Sequence, residues 1–289
     1  MKIAVASGKG GTGKTAIAVS LATVASESCE LFDCDVEAPN AAHFLREGIA
    51  ETRVLAVPIP EIDHEVCTFC GACARICQFN ALAVLSNDVM VFDILCHSCG
   101  ACSIACPVPG ALKEVSREIG VIRIGASKRS DVQIIDGLLN IGEPIASGLI
   151  RHVKAAGQGT ELSIIDCPPG AACPVIEAIK GVDFVILVTE PTPFGIHDLR
   201  LALDLTEVLR IPRGVIINRD DPNTEKDELQ ALCREKNAPI LLRIPFRREF
   251  AKQYAIGNLL IDVDSDLESK MRDMLNRIRK LIAKGDNHR

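Results

Sequence analysis

Short apolar runs bounded by glycine, proline or acidic residues recur along the chain, alternating with stretches whose apolar residues fall three and four apart. The first run is Ile3-Ala4-Val5-Ala6, and a small-residue stretch over 16–22 follows it as a predicted helix. Further strands are predicted at 30–32, 54–57, 121–124, 162–165, 182–189, 214–217 and 240–246. Pro191-Thr192-Pro193 closes the run at 182–189. Helices are predicted at 142–156, with Ile145, Leu149, Ile150 and Val153 on one face, and at 197–210. A last helix over 265–283 aligns Leu267, Met271, Leu275, Ile278 and Ile282. Alternating strands and helices call for an α/β fold with a doubly wound, mostly parallel sheet.

The rhythm breaks between about 62 and 120, where cysteines replace the apolar periodicity. Three segments are expected: 1–61 and 121–289 as two parts of one α/β domain, and 62–120 as a small α+β insert. Neither junction is rich in glycine or proline, so the insert reads as a rigid graft, too small for a large core of its own.

Composition narrows the classes. Of 289 residues 48% are hydrophobic but only 3% aromatic, with one tyrosine and no tryptophan, so aliphatic side chains must fill the core. A net charge of −6 argues against nucleic acid as the partner. The second residue is a lysine and the first strand begins at once, so no signal peptide is read, and no apolar run approaches the ~20 residues that cross a bilayer. A cytoplasmic location is expected. Residues 265–289 hold seven Lys/Arg and four Asp/Glu; acidic residues interrupt the polar face and no Trp or Phe anchors the apolar one. Packing onto the sheet is therefore expected rather than membrane binding.

The first strand runs into Ser7-Gly8-Lys9-Gly10-Gly11-Thr12-Gly13-Lys14-Thr15. Gly8, Gly13, Lys14 and Thr15 fit the Gly-x4-Gly-Lys-Thr frame of a phosphate-binding loop. Residues without side chains let backbone N–H groups wrap a phosphate, and the following helix N-terminus adds partial positive charge. Lys14 is expected on the β/γ-phosphates and the Thr15 hydroxyl on Mg²⁺.

Thirteen cysteines in a reducing compartment point to metal rather than disulfides. Cys67, Cys70, Cys73 and Cys77 are spaced C-x2-C-x2-C-x3-C, and Cys96, Cys99, Cys102 and Cys106 repeat that spacing 29 residues later. Paired C-x2-C also builds zinc ribbons, but two identical four-cysteine runs favour iron–sulfur. Of the remaining cysteines, Cys29 and Cys233 read as small core residues, while Cys34, Cys167 and Cys173 stand in or beside acidic and glycine-rich loops.

Lys-Gly-Gly-Thr-Gly-Lys-Thr at 9–15 resembles the deviant Walker A loop of the MinD/ParA/Mrp ATPases and the nitrogenase iron protein. The resemblance implies ATP bound across a sandwich dimer, with Gly8 to Thr15 (Gly10, Gly11 and Thr12 included) cradling phosphate and Lys9 reaching the partner's nucleotide. It also implies a switch aspartate at Asp35, a Mg²⁺-associated Asp166 and a γ-phosphate-sensing Gly170 in Asp166-Cys167-Pro168-Pro169-Gly170. Asn218 would read the adenine edge, with Arg219 and Pro245 beside it. The cysteine runs resemble a bacterial ferredoxin with two 4Fe-4S clusters. That likeness implies Cys67, Cys70, Cys73 and Cys106 on one cluster and Cys96, Cys99, Cys102 and Cys77 on the other. Gln78 departs from it, standing where a proline is usual. By analogy with the iron protein, Cys173 is a candidate for a third, labile centre.

Three functions follow as expectations. Foremost is an ATPase coupling nucleotide-driven dimer switching to electron transfer through two clusters, with a redox or iron–sulfur partner. Cluster assembly or carriage of the Mrp type comes second, weakened because no C-x-x-C lies outside the two runs. Third is a MinD-like spatial-organising ATPase with sensor or structural clusters. The dimer partner is either a second copy or a similar ATPase.

Overall fold

The computed structural model describes residues 1–45, 47–221 and 227–286. The chain divides into a larger unit, Met1–Thr52, Ile122–Leu138 and Ile150–Arg289, and a smaller one, Arg53–Val121 and Leu139–Leu149.

The larger unit begins with β1 (Lys2–Ser7), α1 (Lys14–Val24), β2 (Cys29–Asp33) and α2 (Ala41–Leu45). Strand β3 (Glu51–Ile62) leads out of it. The smaller unit holds α3 (Ala72–Ile76), a two-stranded antiparallel ribbon of β4 (Leu82–Val84) and β5 (Val89–Val91), and α4 (Ala101–Ala105). Strand β6 (Leu112–Ala126) leads back, followed by β7 (Val132–Leu139), α5 (Ala146–Ala155), β8 (Leu162–Pro169) and α6 (Cys173–Ile179). The chain then alternates through β9 (Phe184–Thr189), α7 (Pro193–Val208), β10 (Arg213–Asp220), α8 (Asp227–Glu235) and β11 (Ile240–Pro245). Helices α9 (Arg248–Ala255), α10 (Leu260–Val263) and α11 (Ser265–Asp286) close it.

The sheet order is β11-β10-β9-β1-β8-β2-β7, continued by β6 and β3. From β11 to β7 neighbouring strands pair in parallel. This is the expected doubly wound architecture: β1 is central, β2 and β8 lie to one side, and β9, β10 and β11 to the other. The loops leaving these strands at their C-terminal ends share one edge of the sheet, where such folds bind ligands.

The elements follow from local chemistry. Strand β1 buries Ile3, Val5 and Ala6, and β9 is buried at all six positions. The proline pair expected only to end β9 also starts a helix: Pro193 is the first residue of α7, where its missing N–H costs nothing, and the Thr192 side chain accepts from Gly195 N at 3.0 Å. Helix α1 is buried on nearly every side, which its small residues permit. Helix α11 supplies part of that cover. Leu267, Met271, Met274, Leu275 and Ile278 lie in one apolar cluster with Ile17, Leu21 and the other core residues of α1. Each such burial contributes about 1.5–3 kcal/mol. No helix among the described residues is long and apolar enough to cross a membrane.

The smaller unit has few fully buried apolar residues. Leu82, Val89 and Cys102 form one cluster, with Cys67, Cys73 and Cys77 packed against it. The 29-residue repeat is present in the backbone. Phe69 and Ser98 both take left-handed φ, 54° and 53°, and Gly71 and Gly100 follow at 75° and 71°. Each glycine precedes one of the matched short helices, α3 and α4.

Candidate functional site

Two glycines of the 8–15 loop are fixed by close approach. A Cβ on Gly8 would come within 2.2 Å of the Asp198 carbonyl oxygen in α7, and one on Gly13 within 2.5 Å of Asn218 Nδ2. Gly13 also has φ 92°, a conformation that favours glycine. The loop then enters α1 at Lys14, which is buried, and Ile17 N donates to Gly13 O at 3.1 Å.

Above the loop lies a cavity of about 400 Å³, within the range of small-molecule sites. From the loop it takes Gly10, Gly11, Gly13, Lys14 and Thr15, and from the loop after β2 it takes Asp35 and Asn40. Asn218, Arg219 and Pro245 from the ends of β10 and β11 also line it. The strand order brings together residues as far apart in the sequence as Gly10 and Pro245. Asn218 is already engaged on both sides of its amide: Nδ2 donates to Thr12 O at 2.7 Å and Oδ1 accepts from Arg219 N at 2.9 Å.

Five expected site residues, Gly8, Lys9, Thr12, Asp166 and Gly170, do not line the cavity. Gly8 is packed beneath α7, and Thr12 is buried. Gly170 donates its N–H to Ser7 O at 2.9 Å. Lys9 forms an ion pair instead: its Nζ is 3.5 Å from Glu190 Oε2, and the other oxygen of Glu190 takes Arg219.

Asp166 lies in β8, three residues before its end, fully buried, and among the described residues neither carboxylate oxygen has a hydrogen-bond partner. Burial, and then the neighbouring Asp33, hold its pKa well above the ordinary carboxylate value; the Thr15 hydroxyl and the Lys14 ammonium pull it back. Asp35 is raised by burial and eased by Lys14. Thr12 Oγ1 is likewise buried without a hydrogen-bond partner among the described residues.

Sequence reasoning missed several residues. Asp33, rather than Asp35, organises the loop after β2: its carboxylate accepts from Asp35 N at 3.1 Å, Asn40 N at 2.8 Å and Ala41 N at 2.9 Å. Burial pushes it up to about 7. Phe246, Arg247, Phe250, Tyr254 and Leu260 complete the wall beyond Pro245. Arg247 stands over the Phe250 ring at 5.4 Å and pairs with Asp264 at 2.8 Å. The amphipathic pattern of α9 was the only available signal, and it is equally that of a packed surface helix.

The smaller unit contains two further cavities. Cys67, Cys70, Cys73 and Cys106 line one, together with apolar Ile62 and Val89. Cys77, Cys96, Cys99 and Cys102 line the other, beside Phe79 and His97, whose rings stack at 3.7 Å. Backbone N–H groups donate to three of the sulfurs: Phe69 N to Cys67 Sγ at 3.4 Å, Ser98 N to Cys96 Sγ at 3.5 Å, and Ala81 N to Cys77 Sγ at 3.3 Å. Among the described residues no three His, Cys, Asp or Glu side chains are grouped to hold one metal ion. Cys34 and Cys167 are fully buried, and burial raises both thiols, whereas Cys173 is exposed.

Residues 3–261 match the CobQ/CobB/MinD/ParA nucleotide binding domain. The chain belongs to that family. It is 32% identical over 289 residues to the uncharacterized protein MJ0578 of Methanocaldococcus jannaschii, covering 98% of each chain. A second protein of that organism, MJ0579, is 31% identical over 224 residues, 76% of this chain and 80% of that one. Among solved structures, the MinD protein of Pyrococcus horikoshii complexed with Mg-ADP superposes with a TM-score of 0.60 at 16% identity, covering 98% of this family member and 99% of that chain. The Cyanothece McdA(D38A)–ATP complex does so at 0.53 and 19% identity, covering 94% of each. These likenesses establish an α/β P-loop NTPase fold and leave the cysteines of the smaller unit unaddressed.

Proposed function

We propose that this family member is a Mg²⁺-dependent ATPase working as a nucleotide switch. Of the three expected functions, the comparisons back the MinD-like ATPase better than electron transfer. One observation carries the reading: a cavity lined by Lys14, Thr15, Asp35, Asn218 and Pro245, with the buried Asp166 carboxylate left without a hydrogen-bond partner among the described residues.

The residues fit a nucleotide and its metal. N–H groups of Gly10 to Thr15 wrap the phosphate chain, and Lys14 neutralises it. Thr15, Asp35 and Asp166 form an all-oxygen donor set suited to Mg²⁺, which reaches them directly or through water. The metal supplies charge neutralisation at the β/γ-phosphates. Asp35 orients the attacking water. Gly170 must leave Ser7 O before its N–H can meet a γ-phosphate, and Lys9 must leave Glu190 before it can reach a partner's nucleotide. The test is phosphate release with Mg·ATP, which Lys14→Ala should abolish. Unchanged turnover in that variant refutes the assignment.

A second reading is supported by the paired cavities of the smaller unit. We infer two 4Fe-4S clusters, one on Cys67, Cys70, Cys73 and Cys106, the other on Cys96, Cys99, Cys102 and Cys77. In a cubane each thiolate binds its own iron, so the sulfurs need not converge as they would on zinc. The clusters supply one-electron chemistry, and they staple a unit with little core. Anaerobic reconstitution should yield about eight iron atoms per chain; zinc uptake without iron overturns this reading.

A further inference from the structure

The two cysteine runs differ after their fourth cysteines. Gln78-Phe79-Asn80-Ala81 follows Cys77, whereas Pro107-Val108-Pro109-Gly110-Ala111 follows Cys106. Both tails end on a buried alanine, Ala81 at 1% and Ala111 at 2% exposure, whose N–H must find an acceptor inside the protein. Asn80 takes left-handed φ 52°, and Ala81 N donates to Cys77 Sγ at 3.3 Å. In the second tail Gly110 makes the turn at φ 82°, and Ala111 N donates to Val108 O at 3.2 Å instead.

The two sulfurs therefore meet opposite ends of a peptide dipole. Cys77 Sγ accepts an N–H, whereas Cys106 Sγ lies 3.5 Å from the Val108 carbonyl oxygen. Pro107 and Pro109 have no N–H to offer, and among the described residues no N–H donates to Cys106 Sγ. At the first cysteine the runs match, since Phe69 N donates to Cys67 Sγ and Ser98 N to Cys96 Sγ. Side-chain charges oppose the difference: Arg75 bonds Cys70 O at 2.8 Å in the first run, and Glu114 lines the cavity of the second. Both are exposed, where water and salt screen them. The dipoles act on the sulfurs directly.

We propose that the Ala81 N–H holds the cluster on Cys77, Cys96, Cys99 and Cys102 at a higher reduction potential than the cluster on Cys67, Cys70, Cys73 and Cys106. The proposal rests on the two-cluster reading. Reduction adds negative charge that spreads onto sulfur, and a donor there stabilises it while a facing carbonyl oxygen does not. An electron shared within the smaller unit therefore leaves the Cys106 cluster and rests on the Cys77 cluster. One electron moves, and no bond forms or breaks.

The full chain, reconstituted to about eight irons, is titrated anaerobically and followed by EPR. Two one-electron steps should appear, separated by about tenfold in the electron's distribution, which is about 59 mV. Ala81→Pro removes the N–H and should lower the upper potential alone. Because that proline directly precedes β4, a second variant replaces residues 107–110 by Gln-Phe-Asn, the tail of the first run, and should raise the lower potential alone. Coincident potentials in the parent overturn the proposal, as does either variant that keeps its iron and leaves the gap unchanged. In those cases both clusters are present, so the underlying reading stands. A parent chain that takes up no iron overturns both.

Discussion

Asp33 and Asp166 are register partners on adjacent parallel strands β2 and β8, and both are wholly buried. They differ in what satisfies them. Asp33 accepts three backbone N–H bonds, whereas Asp166 accepts none from the described residues. Two neighbouring carboxylates cannot both ionise cheaply without a cation. Asp166→Asn should therefore raise the stability of the metal-free protein by about 2 kcal/mol at neutral pH while abolishing Mg²⁺-dependent ATPase activity. Thermal melts with and without Mg·ADP check this. A variant less stable than the parent without metal contradicts it.

The same pair sets a pH dependence. Both folded-state pKa values are raised, Asp33 to about 7 and Asp166 upward. The folded state thus holds more protons than the unfolded chain above about pH 4, and stability falls as pH rises through the interval up to about 7. Melting temperature of the metal-free protein should drop across that interval, and saturating Mg·ADP should flatten the slope. A rise over the same range in the metal-free protein would exclude this account.

Lys9 gives a separate prediction. It is bound to Glu190 and does not line the cavity. Lys9→Ala should leave Mg·ADP affinity within about twofold, because it removes no contact to nucleotide in the same chain. It should eliminate ATP-dependent dimers on size-exclusion chromatography. A large loss of ADP affinity would mean that Lys9 serves its own chain's nucleotide.

The cysteine cavities predict crossed losses. Cys77→Ser should remove the cluster held by Cys96, Cys99 and Cys102, and Cys106→Ser the one held by Cys67, Cys70 and Cys73. Combined with the Phe79–His97 stack beside one site only, the two variants should leave clusters with distinct EPR signals. Identical residual spectra would rule out the crossed assignment.

Helix α11 is tested by stability. Met271 and Ile278 are 0% exposed. Changing either to alanine should cost about 2–5 kcal/mol, whereas Ile282, only partly buried, should cost less. Denaturant midpoints decide it, and equal effects at all three would contradict the packing.

Much of this was legible because it is local. Gly8, Gly13, Lys14 and Thr15 sit within eight positions and carry their own backbone requirements. The buried strands announce themselves as unbroken apolar runs, and the 29-residue cysteine repeat carries its left-handed glycines with it. Helix α7 starts four residues before its predicted position for the same local reason: Pro193 reads as a breaker, but Thr192 caps the helix that begins with it.

The sequence by itself determined the phosphate loop, the alternation that makes a parallel sheet, and the paired cysteine runs, since each depends on neighbours a few residues apart. Only the tertiary structure decided that Glu190 captures Lys9, that Asp33 rather than Asp35 orders its loop, and that Tyr254 and Phe250 wall the cavity. Those outcomes depend on strand order and on which charges share a buried volume. Both join residues far apart along the chain, some by more than two hundred positions, and no periodicity along the chain encodes them.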